Sequence, residues 1–177
     1  MKLFIGCDPG ASGAIAFYDA DVDDLLALHD MPIDKVEIGG KERSRVADRA
    51  LLTMLWFNGQ SRGAKVFLEI PEARPLRGRN KQDGSIILRT PGAAGMLSLG
   101  MNYGALRMAC IANMLSVQEV RPGAWKRSMG MTSSKDESRR IAADRFPQWA
   151  RNFERKKDDG RAEAAMIAVW GSRQNGG

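Results

Sequence analysis

The sequence has little of the chemistry on which many enzyme classes depend. Its 177 residues include a single histidine, His29, and only two cysteines, Cys7 and Cys110. One histidine argues against zinc hydrolysis by paired imidazoles and against a Ser-His-Asp triad. The cysteines lie in apolar segments without metal-ligand spacing, so they indicate neither a disulfide framework nor a zinc site. If the chain is an enzyme, carboxylates must carry the reaction.

Long apolar runs are also missing. The longest falls far below the roughly 18 residues that span a bilayer, and the opening Met1 to Phe4 is too short for a signal peptide. We therefore expect a soluble, cytoplasmic protein with no membrane partner. The length and the composition, 44% hydrophobic and 27% charged, predict a single globular domain over residues 1–177.

Positive charge, in contrast, is in excess. The net charge is +6, and twelve Lys or Arg against six Asp or Glu between 121 and 161 account for all of it. A second basic stretch lies in a Gly-rich segment at about 72–92, which we interpret as a functional or mobile loop. Because neutralised phosphates supply most non-specific affinity for nucleic acids, this pattern predicts a polyanionic partner. A solvated basic face is the alternative.

Hydrophobic patterning predicts an α/β domain with a mixed five-stranded sheet, its first three strands antiparallel, flanked by helices. The predicted strands cover 2–8, 14–18, 25–31, 65–70 and 116–120. The predicted helices cover a stretch from about Val46 to Trp56, 93–113, a short segment after Pro122, a segment from Ser133 or Ser134 to about Phe146, and 161–170. Ser134 followed by Glu137 fits a capping box.

Acidic residues stand in otherwise apolar elements. Asp8 closes the first strand, Glu69 nearly closes the fourth, and Glu163 lies on the last helix. Asp159 is four residues before Glu163 and shares its helix face. Each acid alone could be a surface carboxylate or a salt-bridge partner. Together they would repel one another unless hard divalent cations such as Mg²⁺ or Mn²⁺ bound them, which predicts two-metal phosphodiester hydrolysis.

Three segments, Phe4 to Gly10, Phe67 to Glu69 and Asp159 to Ala164, resemble in order and spacing the acidic motifs of the RuvC-like Holliday-junction resolvases, which have the RNase H-like fold. The resemblance covers nearly the whole chain. It implies a homodimer that binds a four-way DNA junction and nicks two strands symmetrically. It also implies Mg²⁺ or Mn²⁺, with two ions per active site, and no organic cofactor. The long segment at 72–92 looks more like phage-type members, which act in the bacterial host cytoplasm.

The resemblance also assigns roles to residues. It implies that the metal-binding catalytic carboxylates are Asp8, Glu69, Asp159 and Glu163, and that Lys126 and Lys135 contact or polarise phosphates. With the basic stretches, the predicted DNA-binding residues are Arg74, Arg77, Arg79, Lys81, Arg121, Lys126, Lys135 and Arg139. Small residues beside Met and Leu on the helix at 93–113 would let a partner helix approach closely, whereas a simple core helix is the alternative.

This chain departs from the family pattern at two positions. Many bacterial members have Asp where Glu163 stands, and they place the preceding ligand at the position of Gly160. Asp158 therefore competes with Asp159 as the fourth ligand.

The same residues are compatible with other functions. The same chemistry would suit a broader nuclease that debranches DNA or cuts flaps, and the charge pattern alone would suit a non-catalytic protein that binds branched DNA. The turn from Asp8 to Gly13 also resembles the phosphate loop of actin-like ATPases and sugar kinases, but those proteins need two such domains.

Overall fold

The computed structural model describes residues 2–38, 40–58, 63–72, 76–80, 82–89, 92–132 and 134–174. Nine strands and five α-helices lie in these ranges. The strands are β1 (Leu3–Asp8), β2 (Ala14–Asp19), β3 (Asp24–Asp30), β4 (Ile33–Ile38), β5 (Lys41–Val46), β6 (Lys65–Glu69), β7 (Leu76–Arg79), β8 (Ile86–Arg89) and β9 (Ser116–Val120). The helices are α1 (Asp48–Asn58), α2 (Ala93–Ala112), α3 (Pro122–Ser128), α4 (Lys135–Arg145) and α5 (Asp159–Gln174). Two 3-10 segments, Pro147–Phe153 and Lys156–Asp158, join α4 to α5.

The predicted mixed five-stranded sheet is confirmed. Its strand order is β3-β2-β1-β6-β9, with β1, β2 and β3 antiparallel in sequence. Strand β6 runs parallel to β1, and β9 runs parallel to β6. Three parallel strands therefore end at the same edge of the sheet, and this edge receives the carboxyl ends of β1 and β6.

Two apolar layers cover the two faces of this sheet. One consists of residues from α3, α4 and α5 packed on side chains such as Phe4 and Phe67. The other consists of residues from α1 and α2 packed on side chains such as Ile5 and Leu68. Because neighbouring strand residues point to opposite faces and both faces are covered, β1 is apolar up to Asp8 and β6 is apolar between Lys65 and Glu69. No helix in the described ranges is long and apolar enough to cross a membrane.

The segment between β3 and α1 differs from its prediction. Val46 was expected to begin a helix, but it ends β5, and residues 33–46 form the antiparallel hairpin β4–β5. Charged residues dominate β5, so its sequence does not show the apolar alternation that identifies a strand. The backbone register identifies the strands instead, with Ile33 opposite Val46 and Ile38 opposite Lys41. The ammonium of Lys35 also lies 3.2 Å from the carboxylate of Glu42, but an ion pair this exposed stabilises little. Helix α1 begins only at Asp48.

The basic segment at 72–92 is also more regular than a loop. Strands β7 and β8 pair as an antiparallel hairpin, with Arg77 opposite Leu88 and Arg79 opposite Ile86. At the tip, the amide of Asn80 donates to the carbonyl of Ser85 at 2.8 Å. We call residues 76–89 the basic hairpin.

The start of α4 matches only half of the predicted capping box. The hydroxyl of Ser134 accepts a hydrogen bond from the amide of Glu137, as expected for an N-cap. The Glu137 carboxylate, however, accepts from the amide and hydroxyl of Thr132 rather than from the Ser134 amide. The Ser134 hydroxyl therefore caps the helix, while the Glu137 side chain bonds the helix start to the preceding turn.

Candidate active site

The ends of β1 and β6 place two acidic side chains side by side. Cys7 is opposite Leu68 in the parallel register, so the next residues along each strand, Asp8 and Glu69, meet at the sheet edge. Helix α5 crosses this edge and adds Glu163. One carboxylate oxygen from each of these three residues lies within 4.8 Å of the others. We call Asp8, Glu69 and Glu163 the carboxylate cluster.

Close contact between α5 and β1 makes this cluster possible. A Cβ atom at Gly6 would lie 2.0 Å from the carbonyl oxygen of Ala164, so only glycine lets the helix backbone approach the strand this closely. At Gly160, a Cβ would lie 2.6 Å from the carbonyl oxygen of Ser12 and 3.0 Å from Oδ2 of Asp8. The position that holds a ligand in many RuvC-like proteins therefore has no room here for a side chain.

Positively charged neighbours neutralise only part of the negative charge of the carboxylate cluster. Burial, with repulsion from Glu163 and Glu69, raises the pKa of Asp8 well above its usual range, and Lys126 opposes this only in part. Burial also raises the pKa of Glu69 to about 7, against an opposing hydrogen bond from Trp125. Carboxyl groups with raised pKa values in one cluster are typical of a functional site.

Helix α3 contributes two consecutive side chains to the cluster. The ammonium of Lys126 lies 2.7 Å from Oε1 of Glu163, and both side chains are largely buried, at 15% and 12% exposure. The indole Nε1–H of Trp125 donates to Oε2 of Glu69 at 2.6 Å. Because Trp125 is fully buried, it does not stack on bases, and its indole belongs to the core.

A second lysine contacts the other predicted acid. The ammonium of Lys135, at the start of α4, donates to Oδ2 of Asp159, and this contact raises the pKa of the lysine. Asp159 also contributes to the raised pKa of Asp8, so its charge acts on the cluster. It nevertheless does not belong to the three-carboxylate group found within 4.8 Å among the described residues.

Asp158, the competing candidate for the fourth ligand, has a different environment. Its carboxylate accepts from the amide of Arg155 at 2.9 Å and from the guanidinium of the same residue at 2.8 and 3.1 Å. The guanidinium of Arg161 lies 3.9 Å away. These bonds use the oxygens of Asp158 inside the chain, which favours Asp159 as the acid nearer to the cluster.

The donor set of the cluster fits a hard divalent cation. All three groups supply oxygen, which Mg²⁺ and Mn²⁺ prefer, and the raised pKa values of Asp8 and Glu69 identify uncompensated charge that a cation would neutralise. The hydrogen bond from Trp125 engages one oxygen of Glu69, and the contact with Lys126 engages one of Glu163. Each carboxylate keeps a second oxygen for another ligand.

The predicted DNA-binding residues fall in several environments. Lys126 and Lys135 lie at the cluster, and Arg121 is exposed immediately before α3. Arg77 and Arg79 lie on β7, two residues apart and therefore on one face of that strand. Arg74 and Lys81 lie outside the described residues.

Arg139 is the exception among these basic residues. Its side chain is only 14% exposed, and its guanidinium pairs with Asp136 at 2.6 Å. It also donates to the carbonyl oxygen of Lys156 at 3.4 Å. These internal contacts favour a structural role for Arg139 over contact with DNA.

Sequence reasoning missed the role of Trp125. It is separated from Glu69 by 56 residues, and the contact arises because Val120 at the end of β9 is opposite Glu69 in the sheet. Helix α3 begins two residues after Val120, so its first turn lies beside the end of β6. Adjacency to Lys126 gives no reliable signal for this contact, because consecutive side chains on a helix do not face the same direction.

No protein-family model matches the sequence, and no curated protein matches it. Among solved structures, the chain is similar to Thermus thermophilus RuvC in complex with a Holliday junction substrate, with a TM-score of 0.55 and 13% identity over 99% of this chain and 98% of that one. A second Thermus thermophilus RuvC structure gives a TM-score of 0.52 and 12% identity over 98% and 96% of the two chains. The expected RuvC-like, RNase H-like fold is thereby confirmed.

Proposed function

We propose that this protein is a metal-dependent DNA endonuclease that resolves four-way junctions. The observation that carries the proposal is the carboxylate cluster, in which three buried or half-buried acids converge at one sheet edge of a RuvC fold. The similar RuvC structure holds a Holliday junction substrate, which supports branched DNA as the ligand class here. The positive net charge of +6 suits a phosphate-rich partner.

In this proposal the chain itself performs three tasks. Asp8, Glu69 and Glu163 hold divalent cations, with Asp159 as the fourth acidic residue. Bound at such a site, Mg²⁺ or Mn²⁺ supplies Lewis-acid stabilisation of the phosphate and of an attacking water. Glu69 is 8% exposed and the Glu163 side chain 12%, so bulk water has limited access to these two carboxylates and electrostatic contacts to them are strengthened.

Lys126 and Lys135 have the second task. Each ammonium already lies against a carboxylate of the site, at Glu163 and Asp159 respectively. Each ammonium would be freer to change partner if a bound cation shared the negative charge of those acids. The lysines can then donate to phosphate oxygens of the scissile strand, where their charge stabilises the negative charge that develops during cleavage.

Binding of the junction arms is the third task, and we assign it to basic residues outside the carboxylate cluster. Arg77 and Arg79 on the basic hairpin, with Arg121 beside α3, are the described candidates for phosphate contacts. Arg74 and Lys81 belong to the same basic segment of the sequence. These contacts would position the DNA, whereas the shape of the junction would provide selectivity.

A homodimer is part of this proposal because symmetric nicks need two active sites. Helix α2 buries Leu106 and Cys110 against the sheet but exposes large apolar side chains. The exposed fractions are 67% for Leu97, 47% for Met101, 58% for Met108 and 42% for Ile111. Gly100 and Gly104 on the same helix have open space beside them. An exposed apolar face of this kind marks an interaction surface, and a two-fold axis would bury it against itself.

The decisive experiment compares a labelled synthetic four-way junction with a linear duplex of the same sequence, each incubated with Mg²⁺ or with EDTA. We expect paired symmetric nicks in the junction only, and only with Mg²⁺. Equal cleavage of junction, fork and duplex would indicate a broader nuclease. Binding without cleavage under every condition would indicate an architectural protein.

The contribution of the basic hairpin is tested by the salt dependence of junction binding. Each lost phosphate contact lowers the slope of log K against log salt by about 0.9, so Arg77→Ala with Arg79→Ala should lower it by about 1.8. The matched control is Lys2→Ala with Lys65→Ala, which removes the same charge at the opposite edge of the sheet. An equal loss of slope in both double variants would contradict a specific role for the hairpin.

A further inference from the structure

Two consecutive residues of α3 contact two different acids of the cluster. Trp125 donates its indole N–H to Oε2 of Glu69 at 2.6 Å, and Lys126 places its ammonium 2.7 Å from Oε1 of Glu163. The two donors differ in an important way. The lysine is charged and flexible, so it can move to another partner, whereas Trp125 is neutral and fully buried.

The surroundings of Trp125 keep its ring in one place. It packs within the same apolar layer as Phe67, Phe146 and Phe153, and it is among the largest side chains without solvent exposure. A tightly packed ring has one rotamer, so its N–H points in one direction. The Glu69 carboxylate that accepts from it is only 8% exposed and therefore has little water as an alternative partner.

A neutral donor at one oxygen orients a carboxylate without neutralising it. The indole engages Oε2 of Glu69, while the negative charge of the group remains for a cation at the other oxygen. A lysine or arginine in the same place would supply the counter-charge itself and compete with the cation. A tryptophan at position 125 therefore orients the Glu69 carboxylate and leaves its negative charge for a metal ion.

We propose that Trp125 is a positioning residue of the metal site, whose indole N–H fixes the orientation of Glu69 and directs its free oxygen toward a bound divalent cation. The inference rests on the proposed function, because it assigns to the carboxylate cluster the metal that this function needs. Hydrogen-bond partners that orient metal ligands in this way usually change metal affinity by about 10-fold to 100-fold when removed.

The test removes the N–H while keeping the shape of the ring. Position 125 is replaced by β-(3-benzothienyl)alanine, in which sulfur stands in place of the indole N–H, and separately by the standard substitution Trp125→Phe. The readout is the dissociation constant for Mn²⁺, measured from the electron paramagnetic resonance signal of the free ion. We expect the dissociation constant for Mn²⁺ to rise by about 10-fold or more in both variants, with circular dichroism showing that each keeps the native fold.

The matched control is Trp170→Phe, since Trp170 is a buried tryptophan of the same apolar layer that packs edge-on against Phe67 at 5.8 Å. Loss of this ring affects packing but no described contact to the cluster, so Mn²⁺ affinity should stay at the wild-type value. A similar loss of affinity in Trp170→Phe would assign the effect to general loosening of the core and overturn the proposal.

A second readout separates positioning from packing. In a Glu69→Ala background the indole has no carboxylate to orient, so replacement of Trp125 should add no further loss of Mn²⁺ affinity. An additional loss of the same size would mean that Trp125 acts independently of Glu69. The indole ¹⁵N–¹H resonance of Trp125 should also shift when diamagnetic Mg²⁺ binds the wild-type protein.

The failure of this inference differs from the failure of the proposed function. If wild-type protein binds no Mn²⁺ and cleaves no junction, the metal-dependent activity itself is wrong. If wild-type protein binds Mn²⁺ and the benzothienyl variant binds it equally well, only the role of Trp125 is wrong.

Discussion

Asp158 and Glu69 are both buried acids, yet their surroundings differ in kind. Asp158, 2% exposed, accepts several hydrogen bonds from Arg155, and these bonds lower the pKa of its carboxyl group. Glu69, 8% exposed, accepts from the neutral indole of Trp125, and burial raises its pKa to about 7. The first carboxylate bonds directly to a counter-charge of its own, whereas the second bonds to a neutral donor and shares Lys126 with the other acids of the cluster.

The difference teaches that burial alone does not identify a functional acid. A buried carboxylate is costly unless it is paired, so a folded chain normally supplies a partner, as Arg155 does for Asp158. At the carboxylate cluster three acids share the ammonium of Lys126 as their main direct counter-charge among the described contacts. The uncompensated charge is what indicates an external cation.

The largest expected effect comes from removing one charge of the cluster with Asp8→Asn. Because a bound metal supplies several kcal/mol of charge stabilisation, we expect junction cleavage to fall by about 1000-fold or more. Junction binding should persist or tighten, since one carboxylate no longer repels phosphate. Rates measured under single-turnover conditions, with binding measured in EDTA, check both statements. Retained cleavage would contradict the assignment of Asp8.

The pH dependence of stability should have opposite signs for the two kinds of acid. The folded-state pKa of Glu69 is about 7, above its ordinary value of 4.5, so its stabilising contribution is complete below pH 4.5 and is lost as the pH rises through 7. For a shift of this size the loss is on the order of 3 kcal/mol in the metal-free protein. Asp158, whose pKa is lowered, loses its contribution only as the pH falls into the acid range.

Urea unfolding in EDTA from pH 4.5 to 8 measures this prediction. Glu69→Gln should make the decline shallower, because one of the two carboxyl groups with a raised pKa is gone, while Asp158→Asn should leave the decline in place. A wild-type free energy of unfolding that rises with pH over the same range would show that the cluster is already compensated.

The third prediction concerns Asp158→Asn, which removes the charge that Arg155 pairs with. We expect the free energy of unfolding to fall by about 2 kcal/mol, since a hydrogen-bonded charge is lost at a buried position. Cleavage per folded molecule should remain close to wild type at temperatures below the unfolding transition. A loss of cleavage comparable to that of Asp8→Asn would instead make Asp158 a member of the site.

The smallest expected effect is stabilisation by the metal itself. At a Mg²⁺ concentration ten times its dissociation constant, a single site raises the free energy of unfolding by about 1.4 kcal/mol. Thermal unfolding with Mg²⁺ and with EDTA should show this increase for wild type and for Asp158→Asn. Asp8→Asn should lose most of it, and an equal shift in all three proteins would place the metal elsewhere.

The elements that carry the acids were predictable because their patterns are local. The apolar run that ends at Asp8, the run that ends at Glu69 and the Ala-rich helix around Glu163 each identify an element within a few residues. The meeting of Asp8 and Glu69 follows from the predicted mixed sheet only if β1 and β6 are parallel neighbours. The sequence predicts a mixed sheet with its first three strands antiparallel, and the parallel pairing of β1 with β6 comes from the structure.

Other features depend on tertiary contacts and were not predictable from local patterns. The hairpin β4–β5 has strands rich in charge, and pairing between its own strands determines it more than apolar alternation does. The bond from Trp125 to Glu69 joins residues 56 apart through the register of β6 and β9. The choice between Asp158 and Asp159 depends on Arg155, whose guanidinium contacts only Asp158 of the two.

The contact between Gly6 and the backbone of α5 has a consequence for the order in which the molecule is completed. The first strand and the last helix build one cluster, so Asp8 and Glu163 meet only after a loop of more than 150 residues has closed. Closing so long a loop costs conformational entropy and slows folding. A nascent chain that still lacks α5 has Asp8 and Glu69 but not the third carboxylate, so the carboxylate cluster is complete only after α5 has been synthesised and has packed on β1.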